Sequence, residues 1–196
     1  MKVIGLTGGI GSGKTTVSRL FALLDIPIYI ADDRAKRILD FDKKVQKNVK
    51  SVFGENSIVD GVVNRKFIAR ESFGSSEKLK QLNAIIHPAV AEDFEIWKKE
   101  NNYANYVIKE AAILFESGSH VECDKVILVN APLEMRIERV MKRDGVTKRE
   151  VELRIGNQWD EDRKKDLSDF IVLNDQYNSL ISQVMEIHKK ITNENS

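Results

Sequence analysis

The string Gly8-Gly9-Ile10-Gly11-Ser12-Gly13-Lys14-Thr15 constrains this chain more than any other feature in it. It fits G-x-x-x-x-G-K-[ST], and its surroundings agree. An apolar run, Lys2–Leu6, leads in, and a helical pattern, Lys14–Leu24, leads out. Glycines let successive backbone N–H groups turn inward on phosphate oxygens, and a helix N-terminus adds partial positive charge. In such a loop Gly8, Gly9, Gly11, Ser12, Gly13, Lys14, Thr15 and Thr16 would bind ATP. Lys14 would reach the β- and γ-phosphates, and the Thr15 hydroxyl would coordinate Mg²⁺. For Thr16 a plainer reading stands beside this one, packing or capping in the first helical turn. A chance glycine-rich turn would not bring the flanking strand and helix with it. The dinucleotide fingerprint G-x-G-x-x-G fails, because the third residue after Gly11 is Lys14.

Short apolar runs rich in Val, Ile and aromatic residues read as buried parallel strands: Lys2–Leu6, Ile26–Ile30, Tyr106–Lys109, Lys125–Asn130 and Phe170–Leu173. Helical patterns separate them, which implies an α/β fold with ligands beyond the C-terminal strand ends. The expected architecture is a three-layer α/β/α P-loop fold with about five parallel strands. A single domain would comprise a core at about 1–31, 105–135 and 168–196, an excursion at about 32–104 and a lid at about 136–167. The excursion reads as helices only: Arg34–Phe41, Lys43–Phe53, Arg65–Ser72, Glu77–Ile86 and Ala89–Asn101. His87-Pro88 is expected to end one helix and start the next. Leu133–Lys142, Lys148–Asn157 and an amphipathic Tyr177–Ile191 complete the helices.

A chain of 196 residues buries enough surface to need no disulfide or metal staple. Lys and Arg number 31 and Asp and Glu 30, giving a net charge of +1, which argues against a nucleic-acid binder. The lone Cys123 fits a reducing compartment and reads as an inert packing residue. No apolar run approaches a membrane span, and Gly5, Gly8 and Gly9 interrupt any signal-peptide core, so a cytoplasmic protein without membrane partners is expected.

A phosphate loop names the ligand and not the reaction. The GTPase strings D-x-x-G and N-K-x-D are absent, and the third strand ends Val107-Ile108-Lys109-Glu110 without the acidic pair of many mechanical ATPases. Small-molecule kinases remain. Such an enzyme needs a group to orient the acceptor hydroxyl, positive charge over the phosphoryl group, and a cover that excludes water. Asp32, just after the second strand, suits the first task; helix capping is the alternative, and the favoured reading for Asp33. Arg136, Arg139 and Arg143, spaced i, i+3 and i+7, suit the second, with Asp144-Gly145 as the turn of a helical lid. A solvated charged face is the alternative there. His87 reads equally as a substrate contact or a helix C-cap.

These residues resemble the dephospho-coenzyme A kinase family from about Val3 to Asp175. The resemblance lies in the opening Ile4–Lys14, in Ala31-Asp32, in Leu82-Asn83-Ala84-Ile85-Ile86-His87-Pro88, in Leu114-Phe115-Glu116, and in the lid arginines followed by Gln158. It implies transfer of the ATP γ-phosphate to the ribose 3′-hydroxyl of dephospho-CoA, with the excursion binding the substrate. It implies Asp32 as base, Lys14, Arg139 and Arg143 in catalysis, and Asp32, His87 and Glu110 toward the substrate. The chain departs from the family at Glu110, where Asp is usual, at Ala112 for Pro, at Ile30 for Asp and at Lys36 for Arg. A monomer is favoured. The alternatives are another small-molecule or nucleoside monophosphate kinase, a nucleotide-gated binding protein, and a nucleic-acid-acting ATPase.

Overall fold

The computed structural model describes residues 1–73 and 75–193. In chain order the elements are β1 (Lys2–Thr7), α1 (Lys14–Ala22), β2 (Ile28–Ile30), α2 (Ala31–Phe41), α3 (Lys43–Phe53), β3 (Ile58–Val59), β4 (Val62–Val63), α4 (Arg65–Phe73) and α5 (Ser76–Glu100). There follow β5 (Tyr106–Glu110), β6 (Lys125–Asn130), α6 (Leu133–Asp144), α7 (Lys148–Gly156), α8 (Glu161–Asp166), β7 (Phe170–Leu173) and α9 (Leu180–Asn193). The chain divides into two compact units, residues 1–29 with 101–196, and residues 30–100.

The first unit holds a five-stranded sheet in the order β2-β5-β1-β6-β7. Strand β1 pairs in parallel with β5, Leu6 opposite Glu110, and with β6, Thr7 opposite Leu128. Near-continuous burial along β1, β5 and β6 follows from cover on both faces. On one face Ile4, Leu6, Ile108, Ile127 and Val172 pack with Val17 and Phe21 of α1 and Val184, Ile187 and Ile191 of α9. On the other, Gly5 lies against Leu114 and Cys123 of the segment after β5. The arrangement is the α/β/α layering expected of the sequence.

Helix α6 stops where Gly145 turns left-handed at φ 67°, its N–H donating to the Met141 carbonyl at 3.0 Å. Helix α7 then starts on a capping box formed by Thr147 and Glu150. Ile137, Val140 and Val151 seal the two helices together, with Ile10, Val146 and Ile155 against them.

The second unit packs α3 and α4 on α5 around Val45, Val49, Phe53, Val63 and Ile68, with Leu82, Ile85 and Ala89 of α5 against that cluster. Asp42 caps α3, accepting from the Lys44 and Val45 N–H groups at 2.8 and 3.0 Å. Arg34 of α2 forks onto Asp93 of α5 at 2.6 and 2.8 Å.

Two expectations fail in this unit. Residues 76–100 form one helix with Pro88 inside it, so His87-Pro88 marks no break, and His87 is not a C-cap. Proline removes one backbone bond, but flanking turns that bury Leu82, Ile85 and Ala89 hold the helix on both sides. The excursion also contains strand: β3 and β4 pair antiparallel across Asp60-Gly61. Positive φ at both turn residues, 51° and 77°, is the type I′ geometry that Asp-Gly favours between valines.

Candidate functional site

The site is built where β1 turns into α1. Gly11 and Gly13 take φ values of 79° and 99°, and the Ser12 N–H donates to the Gly9 carbonyl at 3.1 Å, which curls the loop. Only glycine suits Gly11: a Cβ there would lie 2.4 Å from the Arg136 carbonyl oxygen, and backbone cannot yield cheaply. The Lys14 ammonium lies over the loop, donating to the Gly8 carbonyl at 2.9 Å and the Gly9 carbonyl at 3.4 Å. Ser12 is fully buried, and its hydroxyl meets no partner among the described residues. Thr15 and Thr16 are exposed on the first turn of α1. Glu110 ends β5 in a buried position. The loop can hold an anion chain, and Thr15 and Glu110 are oxygen donors of the kind Mg²⁺ takes.

The outer side of the loop is gripped by side chains from distant sequence. The Ile10 N–H donates to Gln158 Oε1 at 2.8 Å, and Gln158 Nε2 donates to the Ala112 carbonyl at 3.1 Å. Arg136 Nε donates to the Ile10 carbonyl at 3.1 Å, and its Nη1 meets Glu161 Oε1 at 3.0 Å. Arg139 reaches the Gly11 carbonyl at 3.5 Å and Asn174 Oδ1 at 3.3 Å, while Asn174 Nδ2 donates to the Ser12 carbonyl at 2.8 Å.

The three expected lid arginines therefore have three different fates. Arg136, expected beside Arg139 and Arg143 on one face, is 3% exposed and serves the loop's backbone. Arg139 borders the loop. Arg143 has 63% of its side chain in solvent and forks onto Asp144 at 2.7 and 3.1 Å. That hydrogen bond raises the Arg143 pKa, and it lowers that of Asp144, which Arg154 also contacts at 2.9 Å.

Behind Gln158, Trp159 stacks on Phe115 with ring centroids 6.3 Å apart, and the Arg163 guanidinium lies over the Trp159 ring, 3.4 Å from its centroid. Glu116 Oε1 accepts the Trp159 N–H at 2.9 Å and faces the fully buried Lys164 ammonium at 2.9 Å. Burial pushes the Cys123 thiol up to about 11, so it stays protonated and offers no nucleophile.

Asp32 and His87 belong to the helical unit. Asp32 sits in the first turn of α2, whose N-cap is Ile30, so neither Asp32 nor Asp33 is the cap; Asp33 pairs with Lys36 at 2.7 Å. Desolvation lowers the His87 pKa although the residue stays exposed, so its ring is neutral at pH 7.

Asn174 and Glu161 have no site role in the sequence, and Arg136 reads there as a lid arginine over the phosphoryl group and not as a support for the loop's backbone. Asn174 could have been flagged, because it directly follows β7 at a C-terminal strand end. Nothing local marks Glu161.

Comparison with known proteins supplies the family. The model of the dephospho-CoA kinase family matches residues 2–179. A dephospho-CoA kinase of Porphyromonas gingivalis is 39% identical over 188 residues, covering 95% of this chain and 93% of that protein. One from Bacteroides fragilis is 37% identical over 184 residues, covering 94% and 90%. The solved dephospho-CoA kinase of Campylobacter jejuni superposes with a TM-score of 0.72 at 25% identity, covering 99% of this chain and 98% of that one. A phosphate loop alone is shared by many enzymes, but a match that also takes in the helical unit and the clamped lid is not, and this chain belongs to the dephospho-CoA kinase family.

Proposed function

We propose that this chain transfers the γ-phosphoryl group of ATP to the ribose 3′-hydroxyl of dephospho-CoA, giving CoA and ADP, the final step of CoA biosynthesis. The observation that carries the reading is the family match over residues 2–179, with the phosphate loop inside it. Gly8, Gly9, Gly11, Ser12 and Gly13 cradle the phosphates with backbone N–H groups, and Lys14, Thr15 and Thr16 complete the ATP site. The buried, unpartnered Ser12 hydroxyl supports this role, being a spare hydrogen-bonding group within the loop. Thr15, with the Glu110 carboxylate, would hold Mg²⁺, which neutralises charge on the β- and γ-phosphates when bound.

Asp32 orients the 3′-hydroxyl and accepts its proton as the bond to phosphorus forms. Its place on the second strand–helix turn and the Ala31-Asp32 resemblance support that assignment. His87 contacts the substrate. Arg139 and Arg143 bring charge onto the transferring group, for which guanidinium geometry is suited, and the lid keeps water out. Arg143 must first exchange Asp144 for phosphate. The protein acts in the cytoplasm as a monomer on a small molecule; no helix among the described residues is long and apolar enough to cross a membrane.

The test is ADP and CoA formation from Mg²⁺-ATP and dephospho-CoA, with nucleoside monophosphates as parallel acceptors. Stoichiometric CoA and ADP with dephospho-CoA alone is the expected result. Phosphorylation of a nucleoside monophosphate with none of dephospho-CoA would overturn the acceptor and mark Glu110, Ala112 and Lys36 as signs of a changed substrate.

A further inference from the structure

The Ile10 residue is held by every group it has. Its N–H is bound by Gln158, its carbonyl by Arg136, and its side chain packs into the cluster of Ile137, Val140, Val151, Val146 and Ile155. All of these belong to residues 136–158, the lid segment and its exit. Arg136 is itself held by Glu161, and the pair lies flat on Gly9: a Cβ at Gly9 would come within 2.4 Å of Arg136 Nη2 and 2.5 Å of Glu161 Oε1. Gln158 in turn is anchored to the Ala112 carbonyl beyond β5.

We propose that Gln158, Arg136 and Glu161 are positioning residues that set the phosphate loop by clamping the Ile10 peptide from both sides. None of them needs to touch ATP. The peptide planes on either side of Ile10 are fixed, and the N–H directions of the residues that follow are fixed with them. The lid therefore acts on nucleotide binding through its base as well as through its arginines. Loss of the clamp leaves the glycines free to sample other conformations, and ATP must then reorder the loop on binding. The inference rests on the reading that ATP phosphates bind at Gly8–Thr15.

The test uses the full chain with Gln158→Leu and Glu161→Gln. The side chains of Gln158, Arg136 and Glu161 border a cavity of about 700 Å³, so replacements have room. Affinity for a fluorescent ATP analogue is read without acceptor, then steady-state constants with dephospho-CoA. Gln158→Leu should weaken nucleotide affinity by about tenfold, the size expected when a part-buried N–H loses its partner. KM for dephospho-CoA should stay within about twofold. Gln158→Glu keeps an acceptor for the Ile10 N–H but sets its second oxygen against the Ala112 carbonyl, so it should recover only part of the nucleotide affinity. Glu161→Gln should weaken it in the same sense and covers the case in which Gln158→Leu fails to fold. Wild-type protein that binds no nucleotide overturns the ATP reading itself. Wild type that binds it, with variants that bind equally well or lose both substrates in step with thermal stability, overturns the clamp alone.

Discussion

Glu116→Ala is the most demanding test of how the site is supported. Lys164 is fully buried, 0% exposed, and its ammonium stands 2.9 Å from Glu116 Oε1, itself 12% exposed at the side chain. The contact lacks directed hydrogen-bond geometry, so Coulomb attraction carries it. The same oxygen takes the Trp159 N–H, which fixes the residue next to Gln158. Removing the carboxylate strands a cation in a dry site. Breaking a buried pair this way costs about 3–5 kcal/mol. At roughly 2–4 °C per kcal/mol for a chain of this size, Tm should fall by about 6–20 °C.

Urea unfolding reads the loss directly, as a lower midpoint for the single variant. The double variant Glu116→Leu/Lys164→Met should recover most of the loss, because neither charge is left buried, and keep a deficit of about 1 kcal/mol for the Trp159 N–H that Glu116 no longer accepts. A single variant that costs under about 1 kcal/mol would refute the reasoning, since that is the behaviour of a solvated pair.

Asp32→Asn keeps shape and removes the proton acceptor; kcat should fall by about 10²-fold or more with little change in Tm, and near-normal kcat would remove Asp32 from the base role. Arg143→Ala should lower kcat/KM by a similar factor if it reaches the phosphoryl group, whereas Asp144→Asn should raise it by up to about fivefold by releasing Arg143 from an exposed pair. His87 has a lowered pKa, so the unfolded state binds its proton first as pH falls below about 6.5. Stability contributed by neutral His87 is thus full above 6.5 and declines below it, and His87→Gln should flatten the acid limb of a urea midpoint against pH. Because the ring stays exposed, that effect is small.

The parallel sheet was legible because strands covered on two faces leave short unbroken apolar runs, and only their ends shifted, β1 to Lys2–Thr7, β2 to Ile28–Ile30 and β5 to Tyr106–Glu110. The phosphate loop was legible because its chemistry needs fixed spacing. The helical unit was read less well, for physical reasons. Pro88 looked like punctuation, yet the apolar faces on either side of it share one core and outweigh the single lost backbone bond. The Asp60-Gly61 hairpin was visible in Val59-Asp60-Gly61-Val62, but strands this short carry too few residues to show alternation.

The clamp was hidden for a different reason. Gln158 and Arg136 meet Ile10 across 148 and 126 residues of chain, and a side chain that binds backbone groups leaves no periodic trace. Gln158 was visible only as part of a family resemblance, without a role. The geometry supplies one, and it changes how the loop motif itself should be read. In G-x-x-x-x-G-K-[ST] the positions written x include Gly9 and Ile10 here. Gly9 is small because Arg136 and Glu161 lie on it, and Ile10 is apolar because α6 and α7 close over it. Those positions are left open by phosphate chemistry and are constrained instead by the lid, so their identity records what covers the loop in this chain and not what binds inside it.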